Sequence, residues 1–130
     1  MAAGLPTMAE FMRNQRVKSA SFDLFSSLIF ARSEAITRNA TVRVEPVSGS
    51  WTNGWTVKDA TGNVLRELSA VRDVAISLTP GTSIEYRGSG RLNVTAMPQF
   101  QLSSTGSTVL TRCIKIDLSG RPTTTTQPCT

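Results

Sequence analysis

The chain is 130 residues long, enough for one domain with a buried core and too short for two. Its 14 lysines and arginines outnumber 9 acids for a net charge of +5, a balance that suits an anionic partner such as nucleic acid or a headgroup surface and says nothing about fold. Histidine is absent, which excludes Ser-His and Cys-His catalytic pairs and leaves a zinc site of Cys and His with too few ligands.

The N-terminal third is helical. Pro6 suits a first helical turn, and Thr7 to Asn39 then contains neither Pro nor Gly. Glu10 near the start and Arg38 at the end complement the helix dipole. At 1.5 Å per residue such a helix spans roughly 45 to 50 Å, more than a domain of this size needs, so its first turns are expected to project. Val17, Ala20, Leu24, Leu28, Ala31 and Ala35 recur every three or four residues and form one apolar stripe. Phe22, Phe25, Ile29 and Ile36 form a second stripe beside it. A small β-rich domain needs one such stripe, so the second either lies under a wide sheet or serves a neighbouring molecule, with Phe22, Phe25 and Ile29 as the packing candidates. Glu34 and Arg38 are spaced as a surface i,i+4 pair worth a few tenths of a kcal/mol.

After Asn39 the pattern changes to short β-branched and aromatic runs. Thr41 to Val47, Trp55 to Val57, Val64 to Leu68, Val74 to Leu78, Ile84 to Tyr86, Leu92 to Val94, Phe100 to Leu102 and Arg112 to Leu118 read as strands. Asn53-Gly54, Asp59 to Asn63, Pro80-Gly81, Gly88-Ser89-Gly90 and Thr105-Gly106 read as turns between them. The predicted class is α+β, with a helix over 1–39 packed on an antiparallel sheet over 40–130, together a single domain. Trp51 and Trp55 flank the first turn, where they form either a packing pair or a stacking platform for a ligand.

No constellation of catalytic groups stands out. The carboxylates Asp23, Glu34, Glu45, Glu67, Glu85 and Asp117 are scattered singly. No Walker-type loop occurs, and Gly88-Ser89-Gly90 lacks the rest of a dinucleotide fingerprint. The chain is read as a non-enzyme without a metal or cofactor.

The two cysteines, Cys113 and Cys129, lie close together at the end of the chain. They are read as a disulfide, which requires an oxidising compartment, with two reduced thiols as the alternative. The low-complexity run from Thr123 to Pro128 between them is expected to fray unless Cys129 is anchored. No apolar run is long enough to span a bilayer and Met1-Ala2-Ala3 is not a signal peptide. An oxidised destination without an export signal leads to the expectation that the natural N-terminus is missing from this sequence.

Gly4-Leu5-Pro6 entering the helix and the run LxxxLxxARSEAIxRN from Leu24 to Asn39 resemble the GspH/FimT-type minor pilins of type IV pili and type II secretion pseudopili. The resemblance continues through Asn53-Gly54-Trp55, Tyr86 to Gly90, Arg112-Cys113-Ile114 and Ser119-Gly120-Arg121, and covers nearly the whole chain. It implies a pilin-like fold, and a cleaved leader and membrane half-helix lying before Leu5-Pro6. It further implies an inner-membrane subunit with a periplasmic domain that later joins a cell-surface filament, with other minor and major pilins as partners. Pilin helices bundle in the filament core, which would account for the second apolar stripe. Some relatives at the pilus tip prime assembly, and another group binds double-stranded DNA during transformation through a Gly-Arg-x-Arg element. Here that run is Gly120-Arg121-Pro122-Thr123, without the second arginine. The leading reading is a minor pilin of a type IV pilus. A DNA-binding pilin whose Arg87, Arg91, Arg112, Lys115 and Arg121 contact phosphates, several of them from one sheet edge, is the second, and a minor pseudopilin of type II secretion the third.

Overall fold

The computed structural model describes residues 7–105 and 110–130. Met1 to Ala3, Gly4, Leu5 and Pro6, at the start of the expected helical segment, and Gly106 of the expected Thr105-Gly106 turn lie outside the described residues. Helix α1 runs from Met8 to Arg38. Its N-cap is Thr7, whose hydroxyl accepts a hydrogen bond from the Glu10 amide at 3.1 Å and so satisfies one of the free donors of the first turn. It stops at Asn39, which adopts the left-handed conformation and returns its own N–H to the carbonyls of Ala35 and Ile36.

Eight strands follow: β1 (Val42–Pro46), β2 (Trp55–Lys58), β3 (Val64–Leu68), β4 (Val74–Thr79), β5 (Ile84–Tyr86), β6 (Gln99–Ser104), β7 (Thr111–Ile116) and β8 (Pro122–Thr125). They form two four-stranded sheets where the sequence reading expected one, in the orders β3-β2-β1-β5 and β4-β6-β7-β8. All pairings are antiparallel. The split arises because β4 pairs with β6, aligning Ile76 with Leu102, while β5 returns to β1. Short-range turn signals cannot encode such a choice. The expected strand at Leu92 to Val94 is reduced to one isolated bridge from Leu92 to Tyr86. The expected turn at Asn53-Gly54 is two consecutive 3-10 turns, Val47–Gly49 and Trp51–Asn53.

The first helical stripe is the core stripe: Val17, Leu24, Leu28, Ala31 and Ala35 have no exposed surface and Ala20 almost none. It packs on both sheets, with Val42, Val44 and Val57 of the first and Phe100, Leu102, Ile114 and Ile116 of the second in the same cluster. The two tryptophans join these layers. Trp55 on β2 donates its indole N–H to the hydroxyl of the buried Ser27 on α1 at 3.0 Å, and that hydroxyl donates in turn to the Asp23 carbonyl at 2.9 Å. Trp51 lies edge-on to Phe100 of β6, ring centroids 4.7 Å apart, and 6.3 Å from Trp55. Both rings are buried, so they are packing residues and offer no platform to a ligand.

Cys113 on β7 and Cys129 form a disulfide with Cα atoms 5.2 Å apart. With Cys129 anchored in this way, the run that was expected to fray without that anchor supplies β8, whose Thr123 to Thr125 pair with Lys115 to Cys113. Closing a loop of this size stabilises by about 3 kcal/mol in the chain-entropy model. Reduced protein is therefore expected to unfold in urea with a stability lower by about that amount than oxidised protein, and thiol labelling of unreduced, denatured protein is expected to find no free cysteine.

Candidate interaction surfaces

Once the core stripe is filled, the second stripe remains largely in solvent. Phe22 is 70 % exposed, Ile29 44 % and Ile36 46 %. Phe11, 51 % exposed, extends the row toward the N-terminus, because steps of seven and eleven residues return a helix to nearly the same azimuth. Phe25 departs from the expectation in part: it is half-buried and packs against the core, so it serves the domain as well as the outer face. Phe30, in neither stripe, lies under the Arg66 guanidinium of β3 at 4.9 Å, a cation–π contact that covers the opposite flank of the helix.

Near the C-terminal end of α1, the half-buried Arg32 bridges two turns. Its Nε donates to the carbonyls of Gly90, at 3.1 Å, and Ser119, at 3.3 Å. The first turn follows β5 and the second joins β7 to β8. They abut so closely that a Cβ on Gly120 would lie 2.0 Å from the Gly90 oxygen. The Leu92 N–H also bonds to the Leu118 carbonyl at 3.2 Å, sewing the edge of one sheet to the end of the other. Beneath them Tyr86 is fully buried and its hydroxyl has no hydrogen-bond partner among the described residues, so burial pushes its ionisation up. Arg32 lies inside the ARSEAI run, where nothing in its immediate neighbours distinguishes it from a surface arginine. Only its position at the margin of the core stripe, one turn after Leu28, marks it as an inward-reaching cation.

The five basic residues, several of which were expected on one edge, are distributed. Arg91 and Arg121 are exposed and belong to the two abutting turns. Arg87 is close by in sequence, but its guanidinium donates to the Asn93 side-chain oxygen at 2.6 and 3.0 Å. Arg112 and Lys115 fall on opposite faces of β7, because side chains three apart on a strand point to opposite sides. Arg112 shares the helix-facing side with the buried Ile114 and Ile116, whereas Lys115 approaches the Thr130 hydroxyl at 3.4 Å.

Asn93 also donates to Glu85 at 2.6 Å, and Glu85 accepts from Arg43 at 2.8 Å, forming an arginine–asparagine–glutamate–arginine chain along the β5 edge. The Asn93 hydrogen bond, then that of Arg43, holds the Glu85 carboxyl below its usual range. A carboxylate with a lowered folded-state pKa contributes stability that is fully present above its unfolded value of 4.5 and is lost as pH falls through the folded value. Glu85→Gln is therefore expected to flatten the acid limb of the stability curve, seen as a smaller drop in urea midpoint between pH 6 and about pH 3 than in the parent chain. Glu34 makes the expected pair with Arg38 at 2.9 Å.

A long N-terminal helix laid on antiparallel sheets, with a disulfide holding the last strand, is a pilin-like architecture. Residues 20–120 match the family model of the type II transport protein GspH, and the chain belongs to this family of minor pilins and pseudopilins. In fold it is similar to the type IV minor pilin FimU of Pseudomonas aeruginosa in two crystal forms. One is 21 % identical over 91 % of this chain and 92 % of that one with a TM-score of 0.75. The other is also 21 % identical, over 83 % and 91 %, with a TM-score of 0.73. It is also similar to the minor pseudopilin EpsH from the type 2 secretion system of Vibrio cholerae, 11 % identical over 85 % and 97 % with a TM-score of 0.66. No curated protein matches the chain by sequence. Among the described residues no helix is long and apolar enough to cross a membrane.

Proposed function

We propose that the chain is a minor pilin of a type IV pilus, a structural subunit that helps prime or cap the filament from the inner membrane and contacts other minor and major pilins. The observation that carries this reading is the outer helical row of Phe11, Phe22, Ile29 and Ile36, exposed on a helix whose other stripe already fills the core. An exposed apolar row of this length marks a partner surface. The fold likeness to FimU is compatible with it, and the likeness to EpsH keeps a pseudopilin of type II secretion as the alternative. The test is cross-linking in cells. A cysteine in place of Ile29 is expected to cross-link to neighbouring pilins in sheared filaments, whereas cross-links to secretion pseudopilins only would establish the alternative, and none to either would refute both.

A second reading, DNA binding, is favoured by Arg91 and Arg121 on adjoining turns, with Arg112 and Lys115 set apart on opposite faces of β7. Two phosphate contacts give a log–log dependence of affinity on salt of roughly −1.8. Gel shifts at two salt concentrations are expected to show sequence-independent binding with a slope of that order, and Arg121→Gln is expected to reduce it by about one unit. Absence of binding at about 50 mM salt, where phosphate contacts are strong, refutes this reading and leaves the assembly role unaffected.

A further inference from the structure

Between α1 and the last strand runs an open groove of about 490 Å³, lined by Phe22, Phe25, Lys18, Arg112, Pro122 and Thr124, among others. Three observations on it converge. Its bed is aromatic: Phe22 is 70 % exposed and Phe25 half-buried. Both charged residues on its wall, Lys18 and Arg112, are cations, no acid lines it, and neither cation forms an ion pair among the described residues. Finally, among the described residues β8 ends its sheet and pairs with β7 alone, so one side of its backbone has no strand partner there. Edge strands are ordinarily guarded by lysine, charge or proline along their length; β8 carries a proline at its first position and then only threonines.

We propose that this groove is a strand-addition site for an extended acidic–apolar segment of a partner protein. The segment pairs with the free edge of β8, which supplies main-chain hydrogen bonds irrespective of sequence. Its side chains alternate between two sides, so one row enters the groove. There apolar side chains meet Phe22 and Phe25, and carboxylates meet Lys18 and Arg112, the guanidinium of Arg112 offering a two-pronged match to a carboxylate. The half-buried position of Arg112 against the aromatic bed makes an unneutralised charge costly and a matching carboxylate correspondingly selective. A second copy of this chain is a poor occupant, because its net charge of +5 repels the cationic wall. This inference rests on the reading of the Phe22 flank as a partner face and specifies the chemistry of what covers it.

The test uses the 130-residue chain, isotopically labelled, titrated with a capped ten-residue peptide of alternating glutamate and valine and, separately, with its lysine–valine counterpart. The expected result is a saturable change in the amide signals of Thr123, Thr124, Thr125, Phe22 and Phe25 with the glutamate peptide, at least tenfold weaker with the lysine peptide. The double variant Lys18→Glu, Arg112→Glu is expected to reverse the preference while leaving the thermal melt of the chain close to the parent. Equal response to both peptides, or changes that map away from β8, overturns the proposal. So does a response confined to α1 with the Thr123 to Thr125 amides unmoved, which would mean that the groove takes a helix. If both peptides fail while the Ile29 cysteine still cross-links in filaments, strand addition is wrong and the pilin reading stands. If both experiments fail, the whole flank is a solvent face.

Discussion

Leu28→Ala is expected to lower the stability of the chain by about 2 to 5 kcal/mol, the range for a buried leucine whose cavity closes incompletely, while Ile29→Ala, one residue on, is expected to leave it within about 0.5 kcal/mol of the parent. Leu28 has no exposed surface and sits in the cluster shared by α1 and both sheets. Ile29 is 44 % exposed on the outer row. Urea denaturation of the two variants measures the contrast directly. Phe25→Ala is expected to fall between them, since Phe25 packs partly against the core. The functional effects are expected to run in the opposite sense: Ile29→Ala, folded and stable, reduces filament number on the cell surface because it weakens an intersubunit contact. Equal destabilisation by Leu28→Ala and Ile29→Ala would show that both stripes are core and would remove the basis for a partner face on this helix.

The second large effect is expected at Gly120. Its φ of +94° is one that side chains rarely adopt, and its α-carbon faces the Gly90 carbonyl so closely that an added Cβ would lie 2.0 Å from the oxygen. Gly120→Ala therefore combines backbone strain with a steric conflict that no side-chain rotation relieves, for a combined cost of about 2 to 4 kcal/mol. Gly62 is a matched control, because its φ is +92° and nothing lies within 4 Å of its added Cβ. Gly62→Ala carries the strain alone, about 1 kcal/mol. The difference between the two melting temperatures, expected to be roughly 5 to 10 °C for a chain of this size, isolates the turn-on-turn contact. The contact matters beyond stability. Arg32 holds both turns by their carbonyls, and they carry Arg91 and Arg121, so forcing them apart is expected to disperse the cationic pair on which the DNA reading depends. If Gly120→Ala melts like Gly62→Ala, the two turns are not packed as described.

The helix and its two stripes were legible because helical periodicity is a local property. Val17 to Ala35 repeat at the spacing that places them on one face, and every one of them is buried, together with Ser21 and Ser27. The cysteine pair was legible for a related reason: two thiols with no third ligand nearby have few other uses in an oxidising setting. Most strands could also be placed, since β-branched runs punctuated by glycine and proline mark them without reference to anything distant.

What periodicity and turn signals could not supply was partner choice among the strands. The division into two sheets depends on β4 aligning with β6 and β5 with β1, and the free energy of each alignment comes from side chains meeting across the fold. The expected strand at Leu92 to Val94 is absent for the same reason: Tyr86 meets Leu92 in a single bridge and no ladder extends from it. Arg32 was invisible as a clamp because its two acceptors are backbone carbonyls 58 and 87 residues away. The supposed cationic edge came apart on a simple parity: Arg112 and Lys115, close in sequence, are sent to opposite faces of β7 by strand geometry, whereas Arg91 and Arg121, far apart in sequence, are brought to adjoining turns. By itself, then, the sequence determined most of the secondary elements, the buried face of the helix and the family, all of which rest on near-neighbour chemistry. The tertiary structure alone decided which surfaces remain open to partners, because exposure is what is left after distant segments have covered one another.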